Sequence, residues 1–412
     1  MKCILFVIMF SNLLVKAQQT GIKFEENLSW EQIKRKAKAE NKYIFLDCYA
    51  TWCGPCKEMD RTIYSDKKVG ESINMRFVSV RVQMDSTGRD NDQIKAWYAV
   101  AKNFIKQFNI HVYPTFLFLS PEAKVVDKNI GYRNVNNFIS TSENALDSST
   151  QYYTLKDSYK RGELTRSKLT YLASKAKGVE DNQFADTVAK DYLSNYLIML
   201  DKNKILTKEN LYFINYFSNI IKSTDSIFNF ILDNVSKIDK IVYGGFSTEI
   251  IDKIIEREEV YPFLYSNNYP ITSIPPWRKM KLHIKRRFDK NTAERIILAA
   301  QFGWYYRKKD WEKTVSIFIK QCDKYGIDTV GASKYAVNNI IFDLIFIHSN
   351  KRKVIEKGIS LMKMVIISDP WDGPNLDTYA NLLYKAGKIE DAITFEEKAI
   401  KLAPTDVDIK EN

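Results

Sequence analysis

Trp52-Cys53-Gly54-Pro55-Cys56 closes the apolar run Tyr43-Ile44-Phe45-Leu46-Asp47-Cys48-Tyr49-Ala50. The run reads as a buried strand, Gly54-Pro55 as a turn, and Lys57-Glu58-Met59-Asp60-Arg61 as the start of a helix. Both thiols then sit at a helix N-terminus, where unpaired backbone N–H groups and the positive end of the helix dipole favour thiolate over thiol. The pKa of the first cysteine falls from about 8.5 towards about 7 in such a place. Cys53 is the expected nucleophile, exposed and electrostatically activated, and Cys56 is spaced to attack a mixed disulfide formed on it. The other reading of a C-x-x-C pair is half of a zinc site, which needs a second Cys or His pair. Cys3, Cys48, Cys322, His111, His283 and His348 stand singly, so redox chemistry is favoured and no metal site is expected.

The pentapeptide resembles the active-site motif of the thioredoxin family, and the resemblance extends over about residues 25 to 145. It implies an α/β thioredoxin fold, a central mixed sheet flanked by helices, with Trp52, Gly54 and Pro55 supporting the cysteines. Asp47 stands six residues before Cys53, at the place of the family's buried aspartate, which relays protons to the second thiol. Burial would raise its pKa; read without the resemblance, it is also a strand-end cap. The next apolar strand, Phe77 to Val82, puts Arg81 where the family usually has a lysine, keeping the charge in a group that cannot release its proton. Val112-Tyr113-Pro114-Thr115 matches the family's cis-proline and the strand it opens. The bare residues read equally as a proline at a strand's first position. By that resemblance Tyr113, Thr115 and Gly131 are candidate substrate-binding residues, Tyr113 through its backbone and Gly131 by letting a substrate backbone approach.

The chain departs from a minimal thioredoxin between Asp85 and Pro114. It runs through Ser86-Thr87-Gly88-Arg89-Asp90-Asn91-Asp92 and a helical stretch from Gln93 to Phe108. Extensions on a rigid scaffold are where substrate choice is commonly written, so this one is expected to border the active site.

At the N-terminus, Met1-Lys2, an apolar stretch from Cys3 to Val15 and Lys16-Ala17 read as a secretory signal peptide over residues 1–17, too short for a membrane span. A buried N-terminal helix or strand is the alternative. No cysteine follows the expected cut, so no lipid anchor is indicated. The expectation is an exported, periplasmic protein whose dithiol is recharged by electrons carried across the membrane. Cys48 and Cys322 read as buried hydrophobes. Hydrophobic residues at 45% and charged ones at 27% are an ordinary globular balance.

Ser29-Trp30-Glu31-Gln32 predicts a capping box for a first helix, and Asp147-Ser148-Ser149-Thr150 is a polar break. The thioredoxin-like domain is therefore set at 18–147. From 151 to 412 strand-like alternation gives way to successive helical periods, among them Tyr152 to Lys160, Asn182 to Tyr196, Trp311 to Tyr325 and Ile389 to Leu402, an all-α solenoid or bundle. Ala380, Leu383, Gly387, Ala392, Ala399 and Pro404 fall at tetratricopeptide-repeat spacing, defining a TPR-like unit at 373–406. Tyr305 to Trp311 with Thr314 and Phe318 is a weaker copy.

The net charge of +12 is spread over helix faces, so nucleic acid is not an expected partner. The densest run, Arg278 to Arg287, reads as a solvated helix face, with attraction to an anionic envelope surface as the alternative. Together these features suggest an exported thiol-disulfide oxidoreductase. Cys53 attacks a protein disulfide, Cys56 resolves it with help from Asp47, and no metal or organic cofactor takes part. By the resemblance, the electron donor is a membrane thiol reductase of the DsbD type, and the helical domain holds a protein partner. The rivals are a disulfide oxidase or isomerase, and an adaptor whose helical domain is its main purpose.

Overall fold

The computed structural model describes residues 20–266, 269–329 and 333–402, so the expected signal peptide and Pro404 lie outside the described residues. The chain divides into two compact units, the first ending at Ile220 and the second starting at Ile221.

In the first unit Ser29 caps α1 (Trp30–Glu40) with the expected box: its Oγ accepts from Gln32 N, and Gln32 Oε1 accepts from Ser29 N at 2.8 Å. Asn41, at φ 48°, ends the helix and turns the chain into β1 (Tyr43–Tyr49). After α2 (Gly54–Glu58) and α3 (Lys67–Asn74) come β2 (Phe77–Gln83), α4 (Asp92–Phe108), β3 (Thr115–Leu119), β4 (Val125–Ile130) and α5 (Val135–Asn144). The sheet order is β2-β1-β3-β4, with β1 parallel to β2 and the other two pairs antiparallel. A strand with neighbours on both sides and helices on both faces has no wet side, which is why Ile44 to Cys48 form one unbroken buried run.

Alternation along β1 sends Ile44, Leu46 and Cys48 to the face covered by α1 and α4. Phe45 points the other way, into Phe116, Phe118 and Phe138, with ring centroids 5.9, 5.3 and 5.6 Å distant. Asp47, two residues on, shares that second face. Burying each such ring contributes roughly 2–3 kcal/mol, so the strand bearing Asp47 is held firmly enough to keep a carboxyl out of water.

The helices after the polar break at 147–150 belong to the same compact unit as the sheet, which continues to Ile220. α6 (Tyr152–Lys160) lies on β4, and α7 (Leu169–Gly178) pairs with α8 (Asn182–Asn195). Asp127 of β4 is fully buried; its Oδ1 accepts from Tyr152 N at 2.8 Å, and its Oδ2 from Lys175 Nζ and Asn129 Nδ2, each at 2.9 Å. Burial pushes its carboxyl upward, against the pull of Lys175.

The second unit is helical apart from a short hairpin, Tyr265–Ser266 with Tyr269–Pro270. Its core gathers Leu344, Met362, Val365 and Leu382. The last two helices, Gly373–Lys385 and Ile389–Leu402, bury Ala380, Leu383, Ala392 and Ala399, and Gly387 at φ +78° makes the turn between them. These are the residues whose spacing suggested a repeat unit. The basic run forms helix Trp277–Arg287, with Met280 and Ile284 inward and Arg278, Lys279, Lys285 and Arg286 outward. Arg287 is tied to Glu259 and donates to Ser223 Oγ at 2.8 Å. Among the described residues no helix is long and apolar enough to cross a membrane.

Candidate active site

Cys53 is the N-cap of α2, and Pro55 occupies the first turn, where its missing N–H is no loss. The two cysteines are joined as a disulfide with Cα atoms 5.3 Å apart, and Cys56 N donates to Cys53 Sγ at 3.1 Å. After reduction the same N–H faces a developing Cys53 thiolate, with the helix dipole behind it. α2 runs on into a π-helical turn, Met59–Ile63, in which Tyr64 N donates to Met59 O at 2.9 Å. Such turns are frequent at functional sites.

The expectation that Cys53 is exposed does not hold in this disulfide-bonded form: Cys53 is 2% and Cys56 3% exposed. Tyr113 packs on the pair, and Trp52, itself 70% exposed, meets the Tyr113 ring edge-on with centroids 5.7 Å apart. The Tyr113 and Tyr49 rings pack against the cysteine pair and account for its burial. Cys48 and Cys322 are both buried and free; burial drives the Cys48 thiol far up and that of Cys322 to about 11, so neither forms thiolate readily.

Asp47 is 1% exposed and burial lifts its carboxyl to about 6, against the pull of Arg81. Parallel register sets Arg81 of β2 beside it, and Arg81 Nε donates to Asp47 Oδ2 at 3.2 Å. The guanidinium stacks on the Tyr49 ring at 4.4 Å and lies 3.0 Å from Asp60 Oδ1. Asp47 Oδ1 and Tyr64 Oη meet no partner at full hydrogen-bond geometry among the described residues, but the Tyr64 hydroxyl lies close enough to the carboxyl to act as a weak hydrogen-bond donor that draws its pKa down. The carboxyl therefore titrates near neutrality, where a group exchanging a proton with a thiol is most effective.

The bond from Tyr113, which packs on the cysteine pair, to Pro114 is cis. Gly131, at φ +88°, donates its N–H to Pro114 O at 2.8 Å, and a side chain there would be strained by the backbone angle. Thr115 differs from its expected role in substrate contact. It is fully buried and its hydroxyl donates to Val112 O at 2.7 Å, because strand β3 has already turned that side chain inward. It braces the turn that carries Tyr113.

The start of the extension is tied to the segment that enters Trp52 by a carboxylate that sequence reading passed over. Asp85 Oδ1 accepts from Thr51 N at 3.0 Å, and Thr51 Oγ1 also donates to that carboxylate, one residue before Trp52. Asp90 holds the loop: Thr87 N donates to it at 2.7 Å, Gln83 Nε2 at 2.9 Å, and the hydroxyls of Thr87 and Tyr98 as well. These bonds, that from the Thr87 side chain foremost, keep its carboxyl well below the usual range. No periodicity marks such loop carboxylates. Asp60 did have a signal, standing one helical turn after Cys56. Among the described residues no group of three or more His, Cys, Asp or Glu could hold a metal ion.

A cysteine pair capping a helix, a cis-proline opening the neighbouring strand and a mixed sheet flanked by helices together make up a thioredoxin fold. Residues 30–146 match the thioredoxin-like domain family. Thioredoxin-1 of Drosophila melanogaster is 31% identical over 92 residues, which are 22% of this chain and 70% of that protein. The chain belongs to the thioredoxin family. The thiol:disulfide interchange protein DsbD of Actinobacillus pleuropneumoniae is 27% identical over 121 residues, 29% of this chain. The match spans only about a fifth of that relative's length, 19%. The solution structure of a disulphide-isomerase candidate from Bacteroides thetaiotaomicron aligns at 29% identity and a TM-score of 0.27, over 32% of this chain and 98% of that one.

Proposed function

We propose that this protein is an exported disulfide reductase, acting in the periplasm on protein substrates that its helical region recruits. The cycle begins when the Cys53 thiolate attacks a substrate disulfide, releasing one substrate thiolate and leaving a mixed disulfide. Cys56 gives its proton to Asp47 and attacks Cys53 Sγ; the second substrate thiolate leaves, and the Cys53–Cys56 disulfide remains. A membrane thiol reductase of the DsbD type returns the two electrons, and no metal or organic cofactor enters the cycle.

The observation that carries the reading is the Cys56 N–H on Cys53 Sγ with Gly54-Pro55 between the cysteines. It stabilises thiolate on the residue that must attack. The apolar leader at residues 1–17 supports export, and the small-residue spacing in the last helix pair supports a partner-holding repeat.

A redox titration of the mature protein tests the direction. A reductase should lie nearer roughly −270 mV than roughly −120 mV, and a value above about −180 mV would favour an oxidase or isomerase instead. Trapping with Cys56→Ser in cells tests recruitment: clients left disulfide-bonded to Cys53 should be exported proteins, and none trapped would favour the adaptor reading.

A further inference from the structure

The Arg81 guanidinium has its fork turned away from the carboxyl it could bind best. A guanidinium beside a carboxylate favours two parallel N–H···O bonds. Here Asp47 receives one, from Nε to Oδ2 at 3.2 Å, and Oδ1 is buried without a partner at full hydrogen-bond geometry among the described residues, with the Tyr64 hydroxyl acting on the carboxyl only as a weak donor. Nη2 instead serves Asp60, at 3.0 Å from Oδ1 and 3.1 Å from Oδ2. The π-helical turn Met59–Ile63 is what presents Asp60 at that point. The Tyr49 ring under the guanidinium fixes the plane in which it is shared.

We propose that Asp60 is a positioning residue for the resolving step, holding the Arg81 fork off Asp47 so that Asp47 keeps a carboxyl able to take up the Cys56 proton. The inference rests on the assignment of Asp47 as proton acceptor made above. The groups acting on Asp47 are Arg81 from β2, Asp60 and Tyr64 from the helix and its end, and Cys48 and Tyr49 beside it on β1; its β3 neighbour, Phe116, carries no charge. Asp60 acts on Asp47 in two ways with one sign. Its charge disfavours a second carboxylate, and it occupies the cation that would otherwise stabilise one. Without Asp60, Nη2 is free to swing onto Oδ1, and Asp47 becomes a bidentate, weakly basic carboxylate. Asp47 and Cys56 exchange one proton, so their titrations belong to the pair.

Stopped-flow mixing of the reduced protein with 5,5′-dithiobis(2-nitrobenzoate) separates the steps. The first arylthiolate released reports attack by Cys53, and the second reports resolution by Cys56. In Asp60→Asn the acid limb of the second phase should move down by about half a pH unit or more, and its rate at pH 7 should fall roughly threefold or more. Asp60→Glu should restore both. Carbon-13 titration of the Asp47 carboxyl in the oxidised variant should show the same downward shift, independently of kinetics. A second phase and a carboxyl titration that both coincide with the parent protein would overturn the inference. Asp47→Asn separates the two readings. If it removes the acid limb while Asp60→Asn leaves that limb in place, only the role of Asp60 falls. If Asp47→Asn changes nothing, the proton-acceptor assignment falls and takes the inference with it.

Discussion

Asp47 is where one residue's placement has the largest energetic consequence. Its folded pKa, about 6, lies above the ordinary carboxylate value of 3.8, so the folded oxidised protein binds more protons than the unfolded chain between those two values. Stability therefore falls as pH rises through that window, and the ionised carboxyl is a net cost at neutral pH. Asp47→Asn, which keeps the shape and removes the charge, should raise the stability of the oxidised protein at pH 7 by about 2 kcal/mol while slowing resolution. The gain should shrink to a small fraction at pH 4, close to the unfolded value of 3.8. Urea denaturation at the two pH values measures it, and equal differences at both would show that the carboxyl is not strained by burial. Spacing from Cys53 was enough to find this residue. The burial of Cys53 was not legible, because Tyr113, which packs on it and meets Trp52, stands sixty residues on in the chain.

Among the elements, the strands and the first helix were the most readable, since an unbroken apolar run and a capping box are local signals. What local pattern omits is how loops bond to one another. The Asp85 carboxylate on Thr51 joins the extension to the segment entering Trp52, and nothing in the order Met84-Asp85-Ser86 announces it. Asp85→Ala should accelerate hydrogen exchange at the Thr51 amide roughly tenfold or more while leaving Ile44 to Leu46 unchanged, because a loop bond and a central strand open through different fluctuations. Protection retained at Thr51 would mean that the loop is anchored elsewhere. The core element answers differently. Phe45→Ala removes a fully buried ring packed against the rings of Phe24, Tyr64, Phe116, Phe118 and Phe138 and should cost about 3–5 kcal/mol in thermal or urea unfolding. A loss below about 1 kcal/mol would indicate that the neighbouring rings collapse into the space.

For the whole molecule, the change from strand to helix at the polar break 147–150 was plain in the sequence, but packing carries the first unit on to Ile220. The reason is a charge that composition cannot reveal as buried. Asp127 sits on β4 with Lys175 and the Tyr152 amide as partners, both beyond the break, and Tyr153 packs against the α1 and α4 face of the sheet. A piece ending at 147 exposes that apolar ground and strips Asp127 of two of its three partners. A piece ending at 220 keeps them. The shorter piece should melt at lower temperature and aggregate on heating, while the longer one should unfold reversibly with its Cys53 reactivity intact. In the full chain Lys175→Met should cost about 3 kcal/mol at pH 7, since it leaves a buried carboxylate without its counter-charge. That loss should shrink as pH falls and Asp127 takes up a proton, since a neutral carboxyl needs no counter-charge. Should the 20–147 and 20–220 pieces melt alike, the helices from Tyr152 to Ile220 would be passengers on the catalytic unit rather than part of its structure.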